Sequence, residues 1–324
     1  MSTLLLTRHD ILTLITMPET LKAVEQAFTD YALDKAAMPS KAYLTLPLGD
    51  FRAMPASVPG AAGLKWVNVH PENNKLGLPT VMAIVVYSDP ETGYPLAILD
   101  ATELTAYRTG AAGAIASKYL ARKDANSLGL IGAGKQAQTQ LLAHSEFFKF
   151  DEIMVFDRSS ESAERFKSLF PNYPIKIVSL EQACGADIVC TLTPSRNPFL
   201  KLRWLKPGAH VNAIGADAKG KEELEPEVLA NSIVVVDDIE QSTHAGELNV
   251  PISKGSFGIQ NIYATLGELT SGKKAGRSDP QKITVFDSTG LAIQDIATAR
   301  TIYTKALANQ AGLNFDFIQF EQTY

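Results

Sequence analysis

Seven short apolar runs between residues 126 and 288 are the feature that most constrains the fold of this chain. They are SLGLIG, EIMVFD, IKIV, DIVCTLT, HVNAIG, SIVVVDD and KITVFDS, and stretches with helical spacing of apolar residues separate them. Continuous apolar strands that alternate with helices are typical of a parallel sheet whose two faces are both covered. The sequence therefore predicts a doubly wound α/β domain over this region.

The rest of the chain has a different pattern. An amphipathic helix is predicted from Met17, and residues 40–100 contain short apolar runs broken by Gly, Pro and Asn-Asn, which indicate an antiparallel or mixed sheet. Residues 103–121 have a helical pattern rich in Ala and Gly, which allows another backbone or a ligand to approach closely. A long helical pattern from Leu291 ends at Gly312, and the alternating run LNFDFIQF then predicts a strand.

A glycine turn follows the first apolar run of the α/β region. Gly132-Ala-Gly134-Lys-Gln-Ala137 has the pattern G-x-G-x-x-A, opens a helical stretch, and precedes a second apolar run that ends at Asp157. In such a turn the first Gly permits the bend, the second lets the backbone approach a pyrophosphate, and the small third residue keeps the helix near the sheet. The helix N-terminus attracts the phosphates. The context predicts dinucleotide binding, although a structural tight turn has the same pattern.

Asp157 also bears on which dinucleotide binds. An acidic side chain at this position binds the ribose hydroxyls and repels a 2′-phosphate, which favours NAD over NADP. The following Arg158 and Ser159 could instead accept a 2′-phosphate. We therefore expect NAD and leave NADP open.

Composition excludes several other classes of protein. The 30 Lys and Arg residues are outnumbered by 35 Asp and Glu, giving a net charge of −5, which argues against a nucleic-acid partner. Cys184 and Cys190 lack the neighbours of a zinc site, no cluster has metal-ligand spacing, and two buried free thiols are expected. No window approaches the ~20 apolar residues of a membrane span, and no basic segment precedes the short N-terminal apolar run. We expect a cytoplasmic protein with no membrane partner.

Eight segments spread over nearly the whole chain point to one family. They are RAMPA (52–56), GLKWVN (63–68), GLPTVMA (77–83), ETGYPLAILDAT (91–102), RTGAAG (108–113), IGAGKQA (131–137), NAIGADAKGKEEL (212–224) and VFDSTGLAIQD (285–295). With these segments in this order, the chain resembles the ornithine cyclodeaminase/mu-crystallin family, and within it the archaeal-type alanine dehydrogenase branch. The resemblance implies a Rossmann domain (119–289) inserted into a discontinuous α+β substrate-binding and dimerisation domain (1–118 and 290–324).

The resemblance also implies NAD(H) chemistry at the α-carbon of an amino acid. Oxidation to an imine, followed by hydrolysis, needs a cation for the carboxylate, a proton-transfer group near the amine and a positioned nicotinamide. Lys65 lies in an apolar context where burial disfavours its ammonium form, although GLKW alone also fits a surface lysine. By resemblance Lys65 is the acid/base and substrate-contacting residue. Asp217, which follows a strand-like run ending at Gly215, is the second catalytic residue.

Arg52 and Arg108 are the predicted substrate-binding cations, since a guanidinium can bind two carboxylate oxygens at once. The alternative is that both are surface arginines. Arg108 opens RTGAAG, where we expect a helix N-terminus, and the resemblance assigns it to cofactor contact as well. The full set of cofactor contacts that the resemblance implies is Thr80, Arg108, Thr109, Gly132, Gly134, Lys135, Gln136, Asp157, Arg158, Ser159, Thr193, Gly215, Ala216, Asp217, Lys221 and Ser288. Thr193 also fits a loop residue that simply follows a strand.

The leading hypothesis is reversible, NAD-dependent oxidative deamination of a small L-amino acid, with L-alanine, converted to pyruvate and ammonia, as the first candidate. Arg52 stands where cyclodeaminases typically have an acidic residue for the distal amine of ornithine, and like charges repel. Lys219, where many relatives have proline, leaves the substrate open. The alternatives are ornithine cyclodeamination, reduction of a ketimine or other imine, and a non-catalytic, crystallin-like dinucleotide-binding role. The resemblance implies a homodimer, in which the apolar strands KAYLTL and TVMAIVVYS of the first domain would be covered.

Overall fold

The computed structural model describes residues 2–318, and the chain divides into two compact units. Unit 1 is Met1–Arg108 with Leu291–Tyr324, and unit 2 is Thr109–Gly290. The first boundary falls inside a helix, whereas the sequence expectation put it at residue 118. Helix α3 continues across this boundary, and the nearest glycines, Gly110 and Gly113, lie inside the helix, so the sequence does not mark the point of change.

The fifteen strands of the described residues are β1 Thr3–Leu6, β2 Ala42–Leu46, β3 Gly49–Val58, β4 Ala61–Val69, β5 Val81–Ser88, β6 Pro95–Asp100, β7 Ser127–Ile131, β8 Glu152–Phe156, β9 Ile175–Ile177, β10 Ile188–Thr191, β11 His210–Ala213, β12 Ser232–Val236, β13 Ile262–Thr265, β14 Ile283–Asp287 and β15 Leu313–Phe315.

The eleven α-helices of the same residues are α1 Arg8–Leu14, α2 Met17–Ala32, α3 Thr102–Leu120, α4 Lys135–His144, α5 Ser160–Leu169, α6 Leu180–Cys184, α7 Pro226–Ala230, α8 Ile239–Ala245, α9 Asn249–Ser253, α10 Leu266–Thr270 and α11 Ala292–Asn309. Short 3-10 helices occur at Pro71–Leu76, Leu202–Trp204 and Ile259–Asn261.

Unit 1 is built on a seven-stranded mixed sheet in the order β15-β1-β6-β5-β4-β3-β2. Strands β2 to β6 pair antiparallel in sequence order, and β1 lies parallel to β6. Helix α11 packs on β3, β4 and β5 and against α2. A Cβ added to Gly63 on β4 would lie 2.9 Å from Ile296 of α11, so every second residue of β4 from Gly63 faces that helix. The predicted helix at Met17 and the mixed sheet are confirmed.

Unit 2 contains an eight-stranded parallel sheet in the order β13-β12-β14-β11-β10-β7-β8-β9. The chain runs outward from β7 through β8 to β9, then returns to place β10 on the other side of β7. This reversal is the switch point at which doubly wound sheets bind ligands, outside the carboxyl ends of their strands. All seven apolar runs form strands of this sheet, which confirms the predicted fold class. The edge strand β13 was missed, because its run IYAT is short and only partly buried.

The close packing of helix α3 explains why its sequence is rich in Ala and Gly. A Cβ on Gly110 would lie 2.5 Å from the carbonyl oxygen of Thr139, and one on Gly113 would lie 2.4 Å from Oε1 of Gln140. Both contacts are to α4, so the glycines let two helices of unit 2 approach closely, as predicted.

The C-terminal predictions are partly covered by the described residues. Helix α11 corresponds to the pattern from Leu291, and β15 to the first three residues of LNFDFIQF; the last two residues of that run lie outside the described residues.

Cys184 and Cys190 are buried free thiols, as predicted. Within residues 2–318, no helix has the length and apolar character needed to cross a membrane.

Candidate active site

The residues predicted from the sequence fall into two groups, one in each unit. Unit 1 carries Arg52 on β3, Lys65 on β4, Thr80 just before β5 and Arg108 on α3, and unit 2 carries the others. Each group has its own supporting contacts.

Lys65 is the most deeply buried cation of the unit 1 group. Its side chain is 1% exposed, and its Nζ lies 2.7 Å from Oδ2 of Asp295, which is itself 0% exposed. The other carboxylate oxygen of Asp295, Oδ1, accepts a hydrogen bond of 2.9 Å from Nε of Arg108. One buried carboxylate therefore bridges the two predicted catalytic and substrate-binding cations, and we call these three residues the lysine cluster.

The surroundings of Lys65 change its proton affinity. Burial disfavours the ammonium form, the positive charge of Arg108 acts in the same direction, and the carboxylate of Asp295 opposes both; the pKa of Lys65 falls from 10.5 to about 7. A lysine with a pKa near neutrality exists in both protonation states at physiological pH. It can therefore accept and return a proton.

Asp295 is the functional residue that sequence reasoning missed. It lies in the run LAIQDIATA of α11, where Ala292, Ile296 and Ala299 on the same face are all buried. A single acidic residue in the apolar stripe of a helix is rarely buried without a partner. That pattern was the available signal, and it indicates a buried counter-charge.

Arg108 is buried and is not a surface arginine, but the helix N-terminus expected beside it is wrong. Helix α3 begins at Thr102, so Arg108 lies in its second turn and its position owes nothing to free N–H groups. Its side chain is fixed by α11 instead, because Nη1 donates to Oε1 of Gln294 at 3.0 Å while Nε is bonded to Asp295. The third guanidinium nitrogen, Nη2, takes part in neither of these two hydrogen bonds.

Arg52 is 5% exposed and shares the inner face of the sheet with Lys65. The register pairs Arg52 with Val67 and Met54 with Lys65, which makes Arg52 and Lys65 diagonal neighbours. Nε of Arg52 donates to Oδ1 of Asp50 at 2.7 Å, so a carboxylate offsets much of its charge. The charge argument against a diamine substrate is therefore weaker than the sequence alone implied.

The glycine turn has the geometry that the G-x-G-x-x-A pattern predicts. Gly132 has a φ of +104°, and a Cβ there would lie 3.1 Å from the carbonyl oxygen of Leu192. Gly134 immediately precedes α4, and a Cβ there would meet nothing within 4 Å. Ala137 is 0% exposed, so the helix sits close to the sheet. The space at Gly134, before the first turn of a ten-residue helix, fits a pyrophosphate.

Asp157 follows β8 and lies against this turn. Its Oδ2 accepts a 2.8 Å hydrogen bond from the backbone N–H of Ala133, and its Oδ1 accepts one of 2.8 Å from the N–H of Ser159. Ser159 in turn caps α5, where its hydroxyl accepts from the N–H of Ser162. Arg158 is exposed. The predicted ribose-binding acid and the phosphate-binding turn are thus brought together.

The loops after β10 and β11 are joined by a second residue that the sequence did not reveal. Thr193 donates to Oε1 of Glu223 through its N–H at 2.7 Å and its hydroxyl at 2.6 Å, and the N–H of Gly215 donates to Oε2 at 3.0 Å. A Cβ on Gly215 would lie 2.2 Å from the carbonyl oxygen of Thr193, so the approach of the two loops requires glycine. Glu223 lies in the polar run GKEEL, which gives no sign of burial.

Six other predicted residues of unit 2 have defined surroundings. Nζ of Lys221 lies 2.5 Å from Oδ1 of Asp217 in a part-buried pair, Ala216 is 0% exposed, and the N–H of Ser288 donates to the carbonyl of Ala213 at 3.0 Å. Lys135 and Gln136 form the first turn of α4.

Two threonines have weaker ties to the predicted chemistry. Thr109 is buried, and its carbonyl accepts from Nε2 of Gln140 at 3.2 Å. Thr80 is exposed, and its carbonyl accepts from the N–H of His70 at 2.8 Å. In both contacts the backbone carbonyl of the threonine accepts the hydrogen bond, and its side-chain hydroxyl takes no part.

The buried histidines serve the packing of unit 2. His144 bonds to the hydroxyl of Ser117 and His210 to that of Thr284, and burial lowers the pKa of His144 to about 4 and that of His210 to about 3. Both are neutral at physiological pH. Within the part of the chain that the structure describes, no three His, Cys, Asp or Glu side chains are grouped to hold a metal ion.

Comparison with known proteins gives a consistent result. The family model described as ornithine cyclodeaminase/mu-crystallin matches residues 1–310. An alanine dehydrogenase of Archaeoglobus fulgidus is 49% identical over 321 residues, which is 98% of this chain and all of the relative.

Two solved structures are similar over almost the full chain. An archaeal alanine dehydrogenase dimer with bound NAD has a TM-score of 0.96 at 49% identity, covering 98% of this chain and 100% of that one. A Δ1-pyrroline-2-carboxylate reductase of Thermococcus litoralis, in complex with NADH and L-proline, has a TM-score of 0.93 at 38% identity, covering 96% and 100%.

Proposed function

Because the chain belongs to the ornithine cyclodeaminase/mu-crystallin family, we propose that it is an NAD-dependent oxidoreductase that reversibly deaminates L-alanine to pyruvate and ammonia. The observation that carries the proposal is the lysine cluster, in which a buried lysine has a pKa of about 7 beside a buried arginine. Oxidation of an amino acid needs both a proton-transfer group and a cation for the carboxylate. The similarity to an alanine dehydrogenase supports alanine as the substrate.

The residues of unit 2 fit a dinucleotide. Gly132, Gly134, Lys135 and Gln136 would hold the pyrophosphate at the N-terminus of α4, and Asp157 would bind the ribose, with Arg158 and Ser159 beside it. The loops after β10, β11 and β14 supply the other proposed contacts, Thr193, Gly215, Ala216, Asp217, Lys221 and Ser288, with Thr80, Arg108 and Thr109 carried over by resemblance. When bound, NAD supplies the acceptor for the hydride that leaves the α-carbon.

Arg108 is the proposed clamp for the substrate carboxylate. Its Nε and Nη1 are held by Asp295 and Gln294, so the guanidinium is oriented before the substrate arrives. Preorganisation of this kind reduces the entropy lost on binding. Nη2 then has a defined direction for a carboxylate oxygen.

Lys65 is the proposed proton acceptor for the substrate ammonium. Neutral Nζ takes a proton from the α-ammonium group, and the lone pair left on the nitrogen stabilises the cationic carbon as the hydride departs. Water then adds to the imine carbon, the C–N bond breaks, and ammonia leaves with the proton that Lys65 returns. We assign Asp217 to the second proton transfer, at the attacking water or the amine, by resemblance.

The proposal is tested by following NADH absorbance with L-alanine and, in reverse, with pyruvate and ammonia. Lys65→Met should reduce kcat for alanine by at least about 100-fold, since general acid–base catalysis contributes about 10² to 10⁴. The matched control is Lys75→Met, at a lysine whose side chain is 73% exposed. No turnover by the wild-type protein in either direction would contradict the proposed reaction.

A second candidate is reduction of a cyclic imine, favoured by the similarity to the pyrroline-carboxylate reductase. The same lysine would protonate the imine nitrogen as hydride is added to the carbon. A higher kcat/KM for Δ1-pyrroline-2-carboxylate with NADH than for pyruvate with ammonia would favour this candidate. Proline formation from ornithine is the third reaction to measure, and Arg52→Glu should increase it because the substitution replaces a cation with an anion.

A homodimer in the cytoplasm completes the proposal. Strand β2 is an edge of the unit 1 sheet, all five of its residues are exposed, and Tyr43, Leu44 and Leu46 are among them. An exposed apolar edge strand favours pairing with a second copy. Sedimentation at low protein concentration tests the homodimer by measuring whether the particle has the mass of two chains or of one.

The two buried free thiols are consistent with a reducing compartment such as the cytoplasm.

A further inference from the structure

Four buried carboxylates lie at the carboxyl-terminal edge of the unit 2 sheet. They are Glu223, Asp237, Glu247 and Asp287, and each is at most 1% exposed. All four accept hydrogen bonds from backbone N–H groups of neighbouring loops.

Three of these carboxylates form a series that ends at Glu223. Asp287, at the end of β14, accepts from the N–H of Glu247 at 2.9 Å. Glu247 accepts from the N–H of Glu223 at 2.9 Å and from that of Leu224 at 2.7 Å. The backbone of Glu223 is therefore anchored through Glu247 to Asp287 at the end of β14, which fixes the position from which its side chain extends.

Glu223 lies in the loop after β11, and its carboxylate binds both the start of that loop and the loop after β10. Oε1 accepts from the N–H and hydroxyl of Thr193, after β10, and Oε2 accepts from the N–H of Gly215, after β11. Strand β10 lies between β7 and β11, so the loop after β10 borders the switch point of the sheet and the loop after β11 follows the next strand. Ligands of doubly wound folds bind at that point.

This arrangement is costly for stability. Burial raises the pKa of Glu223, and burial together with the nearby charge of Glu223 raises the pKa of Glu247 well above its ordinary value. Proteins retain destabilising arrangements of this kind, such as buried like charges, mainly at functional sites.

We propose that Glu223 is a positioning residue for cofactor binding: its carboxylate ties the loop carrying Thr193 to the loop carrying Gly215 and Asp217. The inference rests on the proposed function in one respect, that a dinucleotide binds at these loops. It adds a residue that makes no contact with the ligand itself and acts through the backbone.

Glu223→Gln tests this role with little change of volume. The amide keeps one acceptor oxygen and replaces the other by a donor, so one loop loses its anchor. Glu222→Gln is the matched control, because Glu222 is the adjacent carboxylate, is buried at 1% exposure, and has its side chain 3.7 Å from Lys254, while only its backbone N–H bonds to the loop after β10, at Ser195. Glu223→Asp is a second variant, which keeps the charge but is one methylene too short to reach both loops.

Three quantities are measured for each variant: the Kd for NADH by fluorescence titration without amino acid, amide hydrogen exchange at positions 193 and 215 without NADH, and the melting temperature. We expect Glu223→Gln to raise the Kd for NADH by about tenfold or more and to speed exchange at one of the two amides, since a hydrogen bond to a charged group is lost. Glu223→Asp should do the same to a smaller degree. Glu222→Gln should leave the Kd within about twofold.

An unchanged Kd in both Glu223 variants overturns the inference, as does an equal loss in Glu222→Gln. A fall in melting temperature with no change in Kd also overturns it, because a purely structural role has that result. Wild-type protein that binds NADH without oxidising alanine contradicts the proposed reaction but leaves the Kd comparison decisive for Glu223. Wild-type protein that fails to bind NADH overturns both.

Discussion

Replacing Lys65 by methionine should stabilise the folded protein near neutral pH while it removes the proposed proton acceptor. The pKa of Lys65 is 10.5 when the side chain is solvated and about 7 in the folded protein. One pKa unit corresponds to about 1.4 kcal/mol, so holding the protonated lysine in its folded environment costs about 5 kcal/mol. Methionine has similar length and no charge; Asp295 loses its ion pair with Lys65 but keeps its hydrogen bond from Arg108.

The pH dependence of this effect has a defined sign. Below pH 7 both the folded and the unfolded chain hold the lysine proton, and the full cost applies. Between pH 7 and 10.5 the unfolded chain binds more protons than the folded one, so the stability of the wild type rises with pH by about 1.4 kcal/mol per pH unit. Above 10.5 the lysine contributes no further change.

Urea denaturation of the wild type and of Lys65→Met at matched protein concentration, from pH 6 to 10, measures the difference directly. Groups common to both proteins cancel, and the two free energies of unfolding should converge by about 4 kcal/mol between pH 7 and 10. Lys75→Met, at an exposed side chain, should give a curve parallel to that of the wild type. A constant difference between the wild type and Lys65→Met across that range would refute the depressed pKa and, with it, the argument for proton transfer at neutral pH.

Three further outcomes are expected. Asp295→Asn removes the anion that favours the ammonium form of Lys65, so the acid limb of kcat/KM for alanine should move to lower pH by about one to three units; an unmoved limb would assign it to another group. Asp157→Ser removes the charge that repels a 2′-phosphate, and the ratio of kcat/KM for NADP to that for NAD should rise by about tenfold, measured with both cofactors. Gly215→Ala should lower the free energy of unfolding by about 1–3 kcal/mol, because its Cβ would meet backbone at 2.2 Å. Gly134→Ala, which has open space, should reduce NADH affinity without that loss, and equal destabilisation of the two would contradict the steric argument.

Local patterns predicted most of the architecture. The seven apolar runs became strands because a strand covered on both faces needs apolar residues at every position, and this requirement is visible in a short window. The glycine turn was also predictable from a short window, because Gly132 adopts a positive φ that only glycine adopts without strain. Strand β13 was missed because an edge strand is covered less completely, and its residues need not be apolar.

The site was predictable only in part. Lys65, Arg52 and Arg108 were identified by family resemblance; burial was expected for Lys65, and the structure buries all three, so none of them is a surface residue. The helical pattern over residues 103–121 agrees with α3, Thr102–Leu120, but the helix N-terminus expected beside Arg108 was wrong, because RTGAAG lies in the interior of that helix.

What the sequence determined by itself was which residue types are present and how neighbours along the chain are arranged: the strands, the phosphate-binding turn and a lysine in an apolar setting. What only the tertiary structure decided was which buried charges share a partner. Arg108 and Asp295 are 187 residues apart, and Asp295 meets Lys65 because α11 packs on the inner face of the unit 1 sheet. Glu223, in the loop after β11, likewise binds Thr193 in the loop after β10 and Gly215 at the start of its own loop. The proton affinity of a buried group depends on charges a few ångströms away, and the fold, not the order of residues along the chain, sets those distances.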